Sequence, residues 1–394
     1  MKKIKIVHIE DRFHPEMGYQ LNFTAKFHSQ KFEMHIITAD SLALFGQNLS
    51  KDALKEKDRL FEEEHNVTIH RLPVLYEKKQ GYNLLLKGVV AKIDQLAPDV
   101  LFIHALESYT GLHLLNKRSF YKKYMVCTDT HTLLNQFNNS LPERIYFSFH
   151  KKTLIKKLRK YNTPVFYTAN ENKNILIEKY GLAPSQVFPY LIGTDSNLFY
   201  PNKESGIELR KKLAIPEGNK VIIYAGKFNK PKSPHLVIDA LKYLKGLSSK
   251  ITLVMVGGKT EPYYSNHFLK IEEFVSYQII IKDAIKVSEL NSYYNMADLA
   301  VFPKENTLSA LDVQLCKLPV VMEADNTNTE RLQAGGLMYT KNDVSDLANK
   351  MEQLISNDEY RMQLGNSGYE FISANFTYQS IIKEMEQTIE NHLS

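Results

Sequence analysis

The densest group of residues able to do chemistry lies at 302–321. Leu299 to Phe302 form an apolar run that ends at Pro303, and Lys304, Glu305, Asn306 and Thr307 follow. Leu308 and Ser309 then open a helical pattern carrying Asp312, and Pro319-Val320-Val321 starts a second apolar run. In a parallel α/β sheet, ligands sit beyond the carboxyl ends of strands, and the first turn of a helix presents backbone N–H groups that favour an anion. The spacing therefore predicts a site for a phosphate-bearing ligand. A second loop has matching chemistry: Tyr224-Ala225-Gly226-Lys227-Phe228-Asn229-Lys230-Pro231-Lys232-Ser233 follows one strand-like run and precedes a helical pattern from Pro234 to Leu244. Gly226 permits a sharp turn, and Lys227 and Lys232 would point from the strand end and the loop toward one ligand. Two cations suit a diphosphate and can stabilise charge that grows on a departing phosphate without a metal. Taken singly, the loop is also a lysine-rich surface turn and Asp312 an acid favoured by the helix dipole.

These loops need strands to hold them. Ile4 to Ile9, Met34 to Thr38, Val67 to Leu72, Val100 to His104, Tyr124 to Thr128 and Val165 to Thr168 are β-rich runs, with helical periodicity between them, as at Asn83 to Leu96 and Asn170 to Tyr180. After Phe199-Tyr200-Pro201 a second series begins with Val221 to Ala225, Ile251 to Val256, Ile279 to Lys282, Leu299 to Phe302 and Val320 to Met322, and from Asp343 onward the pattern is helical. Such alternation predicts an α/β protein of two doubly wound, Rossmann-like domains facing a central cleft, with C-terminal helices. The boundaries expected are 1–201 for an N-terminal domain, 202–374 for a C-terminal ligand-binding domain, and 375–394 for a helix that packs back on the first.

A chain of 394 residues exceeds what one core usually serves. Its two cysteines, Cys127 and Cys316, are too few for a disulfide framework or a cysteine metal site. No stretch approaches a membrane span or a signal peptide, so a cytoplasmic location is expected. The +6 net charge is unevenly spread. Arg144, Lys151, Lys152, Lys156, Lys157, Arg159 and Lys160 lie together with no acid between 144 and 160, interleaved with Ile145, Tyr146, Phe147, Phe149, Leu154, Ile155 and Leu158. This reads either as a basic amphipathic helix on an anionic membrane surface, peripheral at the inner face of the cell membrane, or as a solvated outer face with its apolar side on the core. Nucleic acid is not an expected partner, because no zinc pattern, RNA-recognition signature or basic tail occurs.

In order along the chain, several short motifs resemble the GT-B glycosyltransferases, specifically retaining family 4, over nearly the whole length. Gly226-Lys227, four residues, then Lys232-Ser233 resembles the family's Gly-Arg…Lys-Gly. Asp312 falls on the second acid of a Glu, seven residues, Glu segment that ends Pro-Val-Val, here Pro319-Val320-Val321. Ala297-Asp298, Val256-Gly257-Gly258 and Gly193-Thr194-Asp195 followed by Phe199-Tyr200-Pro201 resemble further landmarks. The resemblance implies that Lys227 and Lys232 contact a donor diphosphate, that Asp312 accepts ribose hydroxyls, that backbone N–H groups around Thr307 to Ala310 meet phosphate, that Gly226, Asn306, Leu308 and Ser309 also line the nucleotide-sugar site, and that the N-terminal domain is the acceptor side. Gly18 would lie against the donor phosphate, and His131, or Asp129 under a two-residue shift, would contact the transferred sugar; His104 and Glu107 stand at the neighbouring strand end. The sequence departs from the pattern at Lys304, which replaces the first Glu and displaces Glu305 by one position, at Lys227, which loses the bidentate fork of Arg, and at Tyr19, where a second glycine is usual.

The implied activity is retaining transfer of a hexose or N-acetylhexosamine from a nucleotide-diphosphate sugar, UDP favoured, to a saccharide, lipid-linked or protein acceptor in bacterial-type surface polysaccharide biosynthesis. No cofactor or metal is expected, since no Asp-x-Asp occurs and Glu323-Ala324-Asp325 is the nearest approach to one. Two other readings stay open: a non-catalytic glycosyltransferase-like partner subunit, and a sugar-nucleotide epimerase on the same fold. A nicotinamide oxidoreductase is disfavoured, because no Gly-x-Gly-x-x-Gly follows Ile9.

Overall fold

The structure is a computed structural model that describes residues 3–42, 49–77, 84–131, 141, 145, 148–149, 151–244, 246, 250–268, 277–304 and 307–393. The chain divides into two compact units, Met1–Ile192 with Ile381–Ser394, and Gly193–Ser380.

In the first unit, β1 (Ile4–Ile9), β2 (Phe32–Ala39), β3 (Val67–Leu72), β6 (Val100–Ile103), β7 (Met125–Thr130), β8 (Val165–Tyr167) and β9 (Val187–Pro189) form a parallel sheet in the order β3-β2-β1-β6-β7-β8-β9. A separate antiparallel pair joins β4 (Val74–Glu77) to β5 (Leu84–Leu86). The strands are apolar along their length because helices cover both faces: Val7, Ile37, Leu101, Ile103 and Val165 are all fully buried in one core. The expected helix at 83–96 is corrected. Leu84–Leu86 pairs with Val74–Glu77, and Gly88 at φ +76 separates that strand from a helix confined to Val89–Leu96. The 170–180 pattern is an α-helical turn, Asn170–Asn174, followed by a π-helical one, Ile175–Lys179.

The second unit contains β10 (Lys220–Ala225), β11 (Ile251–Val256), β12 (Gln278–Lys282), β13 (Leu299–Phe302), β14 (Val320–Glu323) and β15 (Gly336–Tyr339), parallel in the order β12-β11-β10-β13-β14-β15. In both sheets the first and fourth strands of the winding are neighbours, β1 with β6 and β10 with β13, and the connections run outward from that pair in opposite directions. Crossover helices then lie on opposite faces on either side of the reversal, which opens a gap at the carboxyl ends of those two strands.

The second unit begins at Gly193, earlier than the boundary expected at 201. Thr194 pairs with Thr377, donating its N–H to Phe376 O (2.9 Å) and accepting from Tyr378 N (3.0 Å). Asn291 and Asn295 receive the N–H groups of Tyr200 and Asn202 at 3.0 and 2.6 Å, fastening that segment to the helix Val287–Met296. Residues 381–394 belong to the first unit, where Glu386 accepts the Ser29 N–H (2.8 Å) and Glu390 pairs with Lys31 (2.8 Å).

Asp298, immediately before β13, ties this sheet together. Its Oδ2 accepts the Val221 N–H and the Arg210 guanidinium, each at 2.7 Å, and Arg361 stands 3.7 Å from Oδ1. The expected Ala-Asp landmark therefore joins β10 and β13 to two helices. Asp298→Ala leaves a buried N–H and a guanidinium without their acceptor, and should lower unfolding free energy by about 2–3 kcal/mol, measured by urea denaturation.

Candidate functional site

The loops after β10 and β13 leave neighbouring strands at the reversal in the second unit, since Ile222 and Ile223 of β10 register with Leu299 and Ala300 of β13. Tyr224 and Phe302 sit at the two strand ends with ring centroids 6.3 Å apart. Lys227 and Lys232 on one side, and Thr307, Leu308 and Ser309 on the other, thus come to the same end of one sheet. Glu305 and Asn306 lie outside the described residues.

The β10 loop is built tightly. Gly226 donates to Val256 O (2.9 Å), Phe228 to Gly258 O (2.8 Å), and Thr260 to Phe228 O (3.2 Å), so the loops after β10 and β11 are hydrogen-bonded side by side. That approach explains Gly257: a Cβ there would lie 1.7 Å from Gly226 O. Gly226 itself has no left-handed backbone, so the sharp-turn explanation is corrected. A Cβ would meet the Tyr224 hydroxyl at 2.9 Å, the group that donates to Lys227 O at 2.7 Å. Lys227 is exposed, and the Asn229 side chain accepts the Lys232 N–H at 3.0 Å, closing the turn. Ser233, where the resembling family has Gly, holds φ +46, a conformation that costs a side-chain-bearing residue roughly 1 kcal/mol. Its hydroxyl donates to Lys230 O at 2.6 Å.

On the β13 side, the helix Ser309–Leu315 starts with its N–H groups already engaged. Ser309 N–H donates to Thr307 Oγ1 and Ala310 N–H to Thr307 O, both at 3.3 Å. These are long contacts, and a phosphate oxygen there would take the place of the Thr307 hydroxyl. Asp312 accepts from the Thr194 hydroxyl at 2.6 Å. Burial pushes its carboxyl up to about 7, helped by the Asp195 carboxylate and opposed by the Thr194 bond. Lys304, standing where an acid was expected, bonds Asn342 and lies 3.7 Å from Glu323. Glu323 also accepts the Asn342 N–H (2.9 Å), and Asp325 caps the following helix through Asn328 N (2.7 Å). Both acids of the segment nearest to an Asp-x-Asp thus hold loops in place.

The first unit has a different constellation at its own strand reversal. His8 on β1 meets His104, just past β6, with Nδ1 to Nε2 at 2.9 Å, and His104 Nδ1 lies 2.6 Å from Asp129 Oδ2. The other Asp129 oxygen accepts the Ala105 N–H at 2.6 Å. Burial, with His104 beside it, lowers the His8 pKa well below its usual value, so His8 is neutral, and His104 bridges it to Asp129. His131 Nε2 stands 3.6 Å from Asp129 Oδ2 with 44% of its side chain exposed, whereas Asp129 has none. Of these two alternatives, only His131 reaches solvent. Desolvation works against its charge, but Asp129, with Glu10 and Glu107 behind it, raises its pKa to about 9. Glu107 accepts from Thr130 Oγ1 at 2.5 Å. Gly18 is exposed, and a Cβ there would make only ordinary contact with Phe23, at 3.8 Å, so folding does not require glycine at this position.

Sequence reasoning missed four participants. Thr194 was quoted in a motif without a role, because its partner Asp312 lies 118 positions away. His8 sits mid-strand, where a core residue is the default. Glu10 and Asp11 follow β1, and burial raises both carboxyls, Asp11 to about 7.

Residues 206–371 match the family model described as Glycosyl transferases group 1. The D-inositol 3-phosphate glycosyltransferase of Corynebacterium aurimucosum is 26% identical over 241 residues, covering 58% of this chain and 57% of that one. The enzyme of the same name from Thermobifida fusca is 25% identical over 208 residues, covering 49% and 47%. The chain spans about half the length of the curated relatives it matches. Among solved structures, a glycosyltransferase from Rickettsia africae aligns with a TM-score of 0.72 at 15% identity, covering 100% of this chain and 99% of that one. Anabaena Alr3699/HepE in complex with UDP and glucose aligns at 0.65 and 17%, covering 98% and 100%. Likeness at these identities is one of fold.

The ion pair at His131 is directly testable. Asp129→Asn removes the charge that holds the imidazolium, and the His131 pKa should fall from about 9 to below 7, followed by NMR titration of the ring protons.

Proposed function

We infer that this chain, which has the GT-B fold and carries a group 1 glycosyl transferase domain in residues 206–371, transfers a sugar from a nucleotide-diphosphate donor to an acceptor hydroxyl. The observation that carries the reading is the strand reversal at β10 and β13, which puts a loop with Lys227 and Lys232 beside the Thr307–Ser309 turn. A diphosphate between them would be met by two cations and by backbone N–H donors, so charge growing on the leaving group finds its partners already oriented. Glu323 and Asp325 are engaged in holding loops, and the two lysines take the part that a divalent ion plays in other transferases.

Asp312 is the proposed ribose acceptor, oriented by Thr194. His131, charged and exposed, is the proposed contact to the transferred sugar, with Gly18 against the donor phosphate. Anabaena HepE, of similar fold, is known in complex with UDP and with UDP-glucose, which favours UDP as the donor's nucleotide. Retention of configuration follows from the family resemblance. The acceptor is a saccharide, a lipid-linked saccharide or a protein in surface glycan synthesis, and work at the inner face of a membrane suits the basic segment near Lys156. No helix among the described residues is long and apolar enough to cross a membrane.

One observation favours a second reading. Lys304, paired with Glu323 and Asn342, occupies the position of the expected first acid, as a non-catalytic partner subunit would tolerate. Nucleotide-sugar binding with neither transfer nor donor hydrolysis would select that reading.

Lys232→Ala should lower transfer, measured as release of nucleoside diphosphate, by at least ~10²-fold while leaving the unfolding midpoint unchanged. Undiminished turnover in that variant removes Lys232 from the reaction. Donor affinity should also depend on pH through Asp312, whose carboxylate form accepts ribose hydroxyls. Because its pKa is raised to about 7, calorimetric affinity for UDP should rise about tenfold as pH increases from about 6 to 8, and this dependence should flatten in Asp312→Asn. The sign for folding is opposite: a carboxyl raised above its unfolded value contributes stability at low pH that is lost as pH climbs toward 7.

A further inference from the structure

Asp129 is the last residue but one of β7, and both of its carboxylate oxygens are engaged by the segment that follows β6. Oδ1 accepts the Ala105 N–H and Oδ2 accepts from His104 Nδ1, each at 2.6 Å, while the Asp129 carbonyl accepts the Leu106 N–H at 2.9 Å. Ala105 holds φ +57, a backbone conformation that a residue with a side chain keeps only where its surroundings impose it. Carboxylate and turn therefore fix one another.

His104 is itself held in one orientation. Its ring stacks on Phe102 with centroids 4.6 Å apart. The His8 ring lies nearly parallel to it, at 17°, and His8 Nδ1 meets His104 Nε2 at 2.9 Å. With one face packed and Nε2 engaged, Nδ1 is aimed at Asp129.

His131 stands just outside this arrangement. Its Nε2 lies 3.6 Å from the same Oδ2, which is beyond an N–H···O hydrogen bond. The carboxylate still acts on the charge of the ring at that distance, and Glu10 and Glu107 act on it from the same side of the balance. A carboxylate and an imidazolium left to themselves would close to about 2.8 Å, and the N–H would then be used inside the protein. Here Oδ2 already accepts at 2.6 Å and Oδ1 is tied to the Ala105 backbone, so the carboxylate is not able to swing toward His131.

We propose that His104 is a positioning residue: by occupying Asp129 Oδ2 it holds that oxygen near enough to attract the His131 ring and too far to take its N–H, which is left for a hydroxyl of the transferred sugar. Only that last clause rests on the function proposed above. The hold of His104 on Asp129 and His131 is independent of it.

Two amide side chains separate this role from a merely structural one. In His104→Asn the amide nitrogen falls where Nδ1 was and keeps the donor to Asp129. In His104→Gln it falls where Nε2 was, which keeps the contact with His8 and drops the one with Asp129. NMR titration of the full chain, with the His131 ring assigned by its loss in His131→Asn, should show the His131 pKa rising above the parent's value of about 9 in His104→Gln, as the released carboxylate closes on the ring, and staying at that value in His104→Asn. With UDP-glucose as the probe, release of UDP should fall at least ~10-fold in His104→Gln and less than about 2-fold in His104→Asn. UDP affinity should be unchanged in both, because UDP carries no sugar for His131 to meet. Should His104→Gln fail to fold, His104→Phe, which keeps a ring against Phe102 and offers Asp129 no donor, takes its place. Identical His131 titration in the Asn and Gln variants overturns the proposal, as does a His131 pKa that His104→Gln leaves unmoved. A raised pKa with undiminished release of UDP overturns the part of His104 in transfer. A parent protein that binds no UDP counts against the donor site instead, and the titration then decides this proposal alone.

Discussion

Two parallel sheets, each reversing its winding between its first and fourth strands, impose the constraint on which everything else rests. A right-handed crossover can cover only one face of the sheet on each side of the reversal, so the covering helices part at the carboxyl ends of β1 and β6, and again of β10 and β13. Backbone and side chains at those ends have to find partners in loops or in a ligand.

The two openings are furnished with opposite chemistry. In the first unit, His8, His104 and Asp129 form a buried chain that ends on exposed His131, with Glu10, Asp11 and Glu107 around it. The fully buried Asp129 is flanked there by His104 and by the part-exposed His131, whose charge it favours. The second unit has lysines on a glycine-packed loop and a carboxyl that burial leaves near its midpoint at neutral pH. Acidic surroundings with one cation suit the uncharged hydroxyls of a sugar, and cationic loops suit a diphosphate.

Much of this was legible along the chain and some was not, for definite reasons. Strands buried on both faces, such as Ile251–Val256 and Leu299–Phe302, announce themselves as unbroken apolar runs. Gly336–Tyr339 begins with glycine beside Gly335 and exposes Met338, so its pattern has no strand signature, and Val187–Pro189 is too short to show one. Leu84–Leu86 fits a helical pattern equally well until its partner Val74–Glu77 is known. The lysine loop could be read because local spacing sets it. The pairing of Asp312 with Thr194 could not, nor that of His8 with His104 across 96 positions. His131 is the candidate the sequence favours, with Asp129 as the alternative under a two-residue shift, and that Asp129 is buried while His131 is part-exposed is a property of the tertiary fold.

Thr194 has a double attachment with a thermodynamic consequence. Its hydroxyl holds Asp312, while its backbone pairs with Phe376 and Tyr378, close to both points where the chain passes from one unit to the other. Displacing the backbone at Thr194 would carry its hydroxyl away from Asp312, so the backbone pairing and the hydroxyl bond contribute to the stability of this unit together and not as independent increments.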